Sequence, residues 1–538
     1  MKHFYCFFVF ALVCLSLPAQ DKVNGDSLAA DFHYLVEQLE ATHPDPYTGF
    51  GGKVFFRKQA FDLENELRQS PHTLQQFWDK SMAFLSFIQD GHTYLFSLAP
   101  KQQKEQSFLP VGFRCIPDGL VAQTLPVSHK DLLGSALVGV NGRSLDELLT
   151  RTASIFACEN LYNRYSVFCR NVARKQFMQQ LLPDLKGDAV SFNLRTPEGN
   201  ETTLEVPFME SEELEKAEKA SLPSWDGCPT GQMDYRFIDK QQQVMMFKVN
   251  SVMARDNFEY MYKYMKGDLY RQMEFYYQQK LGKEMPDDTV QAIRELPSFS
   301  GTFAAMLKEM KKNRSEYLII DLRDNSGGWT PIVLATLYQL YGDRYLQTDM
   351  GTEYYQIVSP LYMNKLETTL EDFNKQRGTH YAFGDYTFGD GEADDAEPLD
   401  TLRQQFIEGC MSSVKEELRA QQGAAIYTPK QVFVVTNERT FSAAFHYAFM
   451  LWKMGATVVG VPSSQAPNTF MEQTLFKLPY TGVEVSISNS IQVFLPGKDK
   501  RAKTFWPDLM PTHEEYAKYG FDKQAEILFL LDRIGKEE

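Results

Sequence analysis

Beyond its first twenty residues the sequence has no apolar run approaching the length needed to span a bilayer. Helical membrane insertion is thereby excluded for the remainder. Cysteine is scarce: seven in 538 residues, of which Cys115, Cys158, Cys169, Cys228 and Cys410 lie outside the first stretch. An odd number leaves at least one unpaired, and none has metal-ligand spacing, so neither a disulfide framework nor a zinc site is expected. Positive charge is also in short supply, with 55 Lys and Arg against 70 Asp and Glu and a net charge of −15. That balance argues against nucleic acid as a partner. Apolar content is ample by contrast. With 43 % hydrophobic and 13 % aromatic residues, the chain can fill the cores of the two to four domains that its length suggests.

Met1–Gln20 has the composition of a secretory leader. Lys2 and His3 are weakly basic, Phe4–Leu17 is apolar but too short to span, and Pro18-Ala19-Gln20 offers a small-residue cleavage site. The mature chain is expected to be soluble and exported, to a periplasm or the cell exterior, with no stable membrane span.

Two stretches carry the chemistry. In the first, the β-branched run Gln431–Val435 is followed by the turn TNERT, and then Phe441, Phe445, Phe449 and Trp452 recur at helical spacing until Gly455. Ser442 thus stands at a strand-turn-helix junction, where free N–H groups at a helix start can serve both a nucleophile and a developing oxyanion. Capping alone would also explain a serine there. The second stretch is Tyr317–Thr330, YLIIDLRDNSGGWT, an apolar strand ending in polar residues and two glycines that let backbone N–H groups approach a ligand.

Together these stretches resemble the S41 serine peptidases, the family of the carboxy-terminal processing (tail-specific) and tricorn core proteases. The D-x-R-x-N-x-G-G pattern is Asp321, Arg323, Asn325, Gly327 and Gly328, and VFVVTNERTFSAA matches the segment carrying the nucleophile. The resemblance implies an α/β fold: a ClpP/crotonase-like core over 211–538 with a helical insertion near 256–312, an N-terminal helical region over 21–100, and an inserted β-rich, PDZ-like module over 101–210. It implies a serine peptidase acting on peptides or proteins, without cofactor or metal. Oligomeric state is left open.

The base follows from what the chain lacks. The processing-protease branch places a lysine about two dozen residues after the serine, but the matching loop Val461–Thr469, VPSSQAPNT, has none; Lys453 comes too early and Lys477 too late. The tricorn-like branch uses a histidine at the end of the N-terminal helical region, matched here by Ile88, Asp90, Gly91, His92 and Thr93. Imidazole can accept the serine proton without a large pKa shift. His92 is therefore the expected base for Ser442, with an oxyanion hole from Ala443 and Gly327 or Gly328. The branch's orienting serine is replaced by Gly91, and its later glutamate has no match in Lys498–Asp508, leaving Asp90 or Thr93 as orienting candidates and Asp499 as a further one. His446, one helical turn after Ser442, is read as packed beside the aromatic helix, and His43 and His72 as structural or merely exposed histidines. Phe445 stands where many relatives carry an acid. Gly91 is expected to stop the preceding helix, and Val483–Leu495 to form a strand pair. VGVNGRSLDELL resembles the strand-turn-helix of PDZ domains, which take carboxy termini by strand addition, although a scaffold role is equally open. Glu210–Lys219 is a linker or solvated helix, and Gly384–Asp400 an acidic surface loop rather than a calcium site. Two other readings remain: a catalytically impaired relative that binds peptides or another ligand, and a hydrolase of non-peptide esters or amides.

Overall fold

A computed structural model describes residues 22–96, 98, 107–388 and 397–537. The expected leader lies outside the described residues, as does the middle of the acidic segment. Among the described residues no helix is long and apolar enough to cross a membrane.

The molecule is a mixed α/β structure organised around a five-stranded sheet. Its order is Met233–Phe237, Val244–Val249, Tyr317–Asp321, Gln431–Thr436, Thr457–Gly460, with the first strand antiparallel and the rest parallel. Every residue of Tyr317–Asp321 is buried, as a strand covered on both faces requires. Its side chains alternate. Leu318 and Ile320 face the helices Phe299–Asn313, Pro331–Tyr341 and Ala443–Lys453, while Tyr317 and Ile319 face the terminal helix Ala525–Glu537. The helical insertion therefore does not merely lie over the core. Its last helix, through Phe299, Phe303 and Leu307, is one wall of it.

The N-terminal helices Gly25–Thr42, Lys53–Gln69 and Leu74–Ser86 bury one face each, with Asn24 capping the first and Thr73 forming a capping box with Gln76 on the third. They pack against a second sheet, in which Glu484–Val493 pairs with Asn468–Lys477 on one side and with Glu353–Gln356 and Tyr94–Leu95 on the other. Val483–Leu495 thus holds one ten-residue strand, Glu484–Val493, not a pair. Its alternation reflects two occupied faces. Gly91 does not stop the helix either: the helix ends at Ser86, and Gln89 takes the positive φ of 57°.

Residues 107–221 form the β-rich module, a seven-stranded antiparallel sheet with helices Leu145–Ile155, Leu161–Asn171 and Lys175–Leu181. It is tied to the core through a buried ion network. Arg114 of the module and Arg323 of the central motif both pair with Glu526 of the terminal helix, and Arg323 also makes a bidentate pair with Asp321. Two charged residues of the D-x-R-x-N-x-G-G pattern are therefore structural. WPDLMPTHEEY completes the sheet edge, with Asp508 accepting from Val458 N–H and Leu509 bonding across to Gly460.

Candidate active site

Ser442 follows the Gln431–Thr436 strand and immediately precedes Ala443–Lys453, with φ 54° and ψ −129°. L-residues avoid this conformation, and strain of this kind concentrates at functional sites. Two features hold it there. The Ser442 N–H donates to Gln465 Oε1, and Phe441 N–H donates to the Asn325 carbonyl, tying the turn to the glycine loop. Gly327 sits against the turn so closely that an added Cβ would lie 2.7 Å from Ser442 Cβ and 2.9 Å from Ala443 N.

The backbone donors differ from one another. Gly327 N–H donates to Asn325 Oδ1 at 2.9 Å, so it is already committed. Ala443 N–H and Gly328 N–H have no hydrogen-bond partner among the described residues. Of the expected donors, Ala443 with Gly327 or Gly328, Gly327 is thus engaged by the Asn325 side chain, which the sequence pattern does not reveal, and Gly328 is the glycine whose N–H is free among the described residues.

His92 reaches this region by strand pairing. Tyr94–Leu95 pairs with Glu484–Val493, and Ser486 Oγ donates to the His92 carbonyl. The imidazole is stacked on Phe441, the residue before Ser442, with ring centroids 4.8 Å apart. Its Nδ1 lies 3.1 Å from the Phe470 carbonyl. A carbonyl only accepts, so Nδ1 carries the proton and Nε2 is left with its lone pair. Burial lowers the pKa of His92, opposed by the nearby Asp90 carboxylate.

Asp90 and Thr93 do not touch the His92 ring. Asp90 Oδ1 accepts the His92 backbone N–H, with the ring Nδ1 3.9 Å away; Asp90 Oδ2 accepts from Thr93 Oγ1 and from His43 Nε2. They shape the loop, and the Phe470 carbonyl orients the ring. Asp499 is paired with Arg501. His43 is more than a packed histidine, being fully enclosed and bonded to Asp90 with its Nδ1 accepting Asp45 N–H.

His446 is a different case. Its Nδ1 accepts from Thr330 Oγ1 at 2.8 Å and its Nε2 donates to Gln492 Oε1 at 2.7 Å. Both nitrogens are occupied, and burial pushes its pKa down to about 4. It is a neutral, structural histidine.

Residues 292–492 match the model of peptidase family S41. The match covers 201 of the 538 residues, so over that span the chain is similar to peptidase family S41. That span includes the glycine loop and Ser442 and ends before the terminal helix; His92 lies outside it. No curated protein matches the chain. Among solved structures, the fold is similar to mature CPAF at 14 % identity, covering 95 % of this chain and 98 % of that one with a TM-score of 0.56. It is similar also to mature CPAF complexed with lactacystin, at 14 % identity over 94 % and 99 % of the two chains with a TM-score of 0.54. The family match supports a serine-type peptidase, and the solved structures show the likeness of fold.

Two residues of this site have no counterpart in the sequence reading. Gln465, 23 positions after Ser442, lies in the loop inspected for a lysine; its Oε1 accepts Ser442 N–H and its Nε2 lies 3.3 Å from His446 Nε2. An amide can position but cannot act as a base. Glu159, from the β-rich module, accepts Gly91 N–H at 3.3 Å and Ala466 N–H at 2.8 Å, so it bridges the histidine loop and the Gln465 loop. Burial pushes its pKa up to about 8. Asp90, His92 and Glu159 offer ligand atoms within 4.8 Å of one another. Hydrogen bonds to protein already engage both carboxylates and Nδ1, which makes this a positioning network.

Proposed function

We propose that this protein is an exported serine peptidase in which Ser442 is the nucleophile and His92 its general base. The observation that carries the reading is the His92 ring. Stacked on Phe441 with Nδ1–H committed to the Phe470 carbonyl, it keeps a free Nε2 lone pair beside the turn that presents Ser442. Nε2 accepts the Ser442 proton as Oγ attacks the scissile carbonyl, and returns it to the leaving amine as the C–N bond breaks. Ala443 N–H and Gly328 N–H hold the tetrahedral oxyanion, an effect of about 3–4 kcal/mol per donor in enzymes where a donor has been removed. Water then repeats the attack on the acyl-enzyme with His92 again as base. Gln465 fixes the Ser442 backbone where a lysine would serve a Ser-Lys enzyme, so the histidine route is the one left to this site.

The test is hydrolysis of a mixture-based peptide library by the mature protein, read by mass spectrometry, beside Ser442→Ala and His92→Ala. Cleavage lost in both variants supports the reading. Cleavage by Ser442→Ala, or turnover only of non-peptide esters, overturns it.

A further inference from the structure

From the Gly91–Phe441 contact a cleft of about 550 Å³ runs outward between the Leu74–Ser86 helix and the module helices Leu161–Asn171 and Lys175–Leu181. Its lining includes Arg170, Arg174 and Arg439. Three guanidinium groups at one cleft are unexpected in a chain with a net charge of −15. None is spent on a strong internal pair. Arg170 donates its Nε to the Ser166 carbonyl and has no ion pair among the described residues. Arg174 has neither a side-chain hydrogen bond nor an ion pair there. Among the described residues Arg439 has one ion pair, with the exposed Asp324 at 3.4 Å.

The carboxylates in the same lining are already used. Asp79 accepts from Gln75 and Gln180, and Asp90 from His43 and Thr93. Arg170 is exposed at the cleft mouth, yet the protein packed around it and then repulsion from Arg439 lower its pKa, opposed by Cys158 and next by Glu438. Cations gathered along one cleft with no buried acidic partner make a positive field that a cleft wall of low dielectric concentrates. Planar forks of this kind bind carboxylates in bidentate fashion.

We infer that this cleft is a subsite for acidic peptide segments, with Arg170, Arg174 and Arg439 receiving aspartate or glutamate side chains of the substrate. This rests on the peptidase reading for its consequence, since an acidic segment in the cleft lies next to Phe441 and so to Ser442. It does not rest on that reading for its binding.

The test uses the full-length mature protein carrying Ser442→Ala, so that peptides bind without turnover. Two fluorescent decapeptides with blocked ends, identical except for two Asp in one and two Asn in the other, are titrated by fluorescence polarisation. At low salt the Asp peptide is expected to bind roughly 10-fold tighter, a gap that narrows in high salt. Arg170→Gln with Arg174→Gln should shrink the gap to about 2-fold or less while leaving the Asn peptide's Kd and the melting temperature unchanged. Equal binding of the two peptides, or a gap indifferent to the arginine replacements, overturns the inference. A third peptide, the Asn version with a free C-terminus, separates sources of the carboxylate: if it alone gains affinity, the site reads chain ends and the inference fails. The two readings fail separately, because tight acidic binding without hydrolysis by the wild type sinks only the peptidase reading, and hydrolysis without acidic preference sinks only this one.

Discussion

The backbone of Ser442, at φ 54° and ψ −129°, stores strain that a glycine would not feel. Ser442→Gly should therefore raise stability by about 1 kcal/mol while abolishing hydrolysis, which thermal melting and a peptide assay would show together. A lower melting temperature would mean that the Ser442 side chain supports the fold. On the proposed mechanism His92 sets the pH response. Because burial lowers its pKa from the ordinary 6.5, the acid limb of kcat/KM should have its midpoint below that value, with activity rising as the ring loses its proton. A midpoint at 7 or above contradicts this role. Ser442 and His92 stand out in the sequence because short motifs mark both, whereas the residues packed against them do not. Phe441 belongs by spacing to the aromatic stripe, yet Phe445, Phe449 and Trp452 pack with Phe494 and Phe505 whereas Phe441 turns away onto His92. Periodicity assigns a residue to a helix face only once the helix has begun, and this one begins at Ala443.

At the scale of elements, the glycine loop and the nucleophile turn are pressed together with no room for a methyl group. Gly327 combines φ 100° with a would-be Cβ 2.7 Å from Ser442 Cβ. Gly327→Ala is expected to cost more than about 2 kcal/mol and to depress kcat/KM at least 100-fold, since either the serine or the loop must move. Wild-type turnover in that variant would show that the contact does not position Ser442. Gly91 has the same logic: an added Cβ would come 2.8 Å from Phe441 and 3.0 Å from Glu159 Oε1. The sequence pattern offered Gly91 as a helix stop, because glycine is the commonest residue at that place. Its use here is close packing, a property of contacts between distant segments that local sequence does not encode. The strand alternation in Val483–Leu495 misled in the same manner, since its partner Asn468–Lys477 came from a segment whose pattern was not read as a strand.

Across the whole molecule, three regions far apart in sequence meet at one site, and electrostatics shows what joins them. Arg114 and Arg323 hold the buried Glu526 carboxyl down to about 2, and the His43 contact does the same for Asp90. Both sit below their ordinary values of 4.5 and 3.8, so their contribution is complete above about pH 4.5 and is lost as pH falls toward 2. Glu159, raised to about 8, acts oppositely: what it contributes is present below pH 4.5 and fades as pH rises through 8. The melting temperature of the Ser442→Ala protein should therefore drop steeply in acid, while the Glu159 share is lost between about pH 4.5 and 8 and is flat above that. Glu526→Gln should lower it at neutral pH, by an unpaired-cation cost of about 3–5 kcal/mol, and flatten the acid limb. An acid limb unchanged by Glu526→Gln would place the lability elsewhere. The meeting of His92 with the Ser442 turn belongs to this scale too. It depends on Tyr94–Leu95 joining Glu484–Val493, a two-residue pairing across nearly 400 positions that no local pattern announces. The most direct test of the account is labelling of the mature protein by a serine-reactive fluorophosphonate, with Ser442→Ala and His92→Ala alongside. Labelling at Ser442 that vanishes in both variants is the predicted result; a folded wild type that takes no label, or labels equally well without His92, would contradict it.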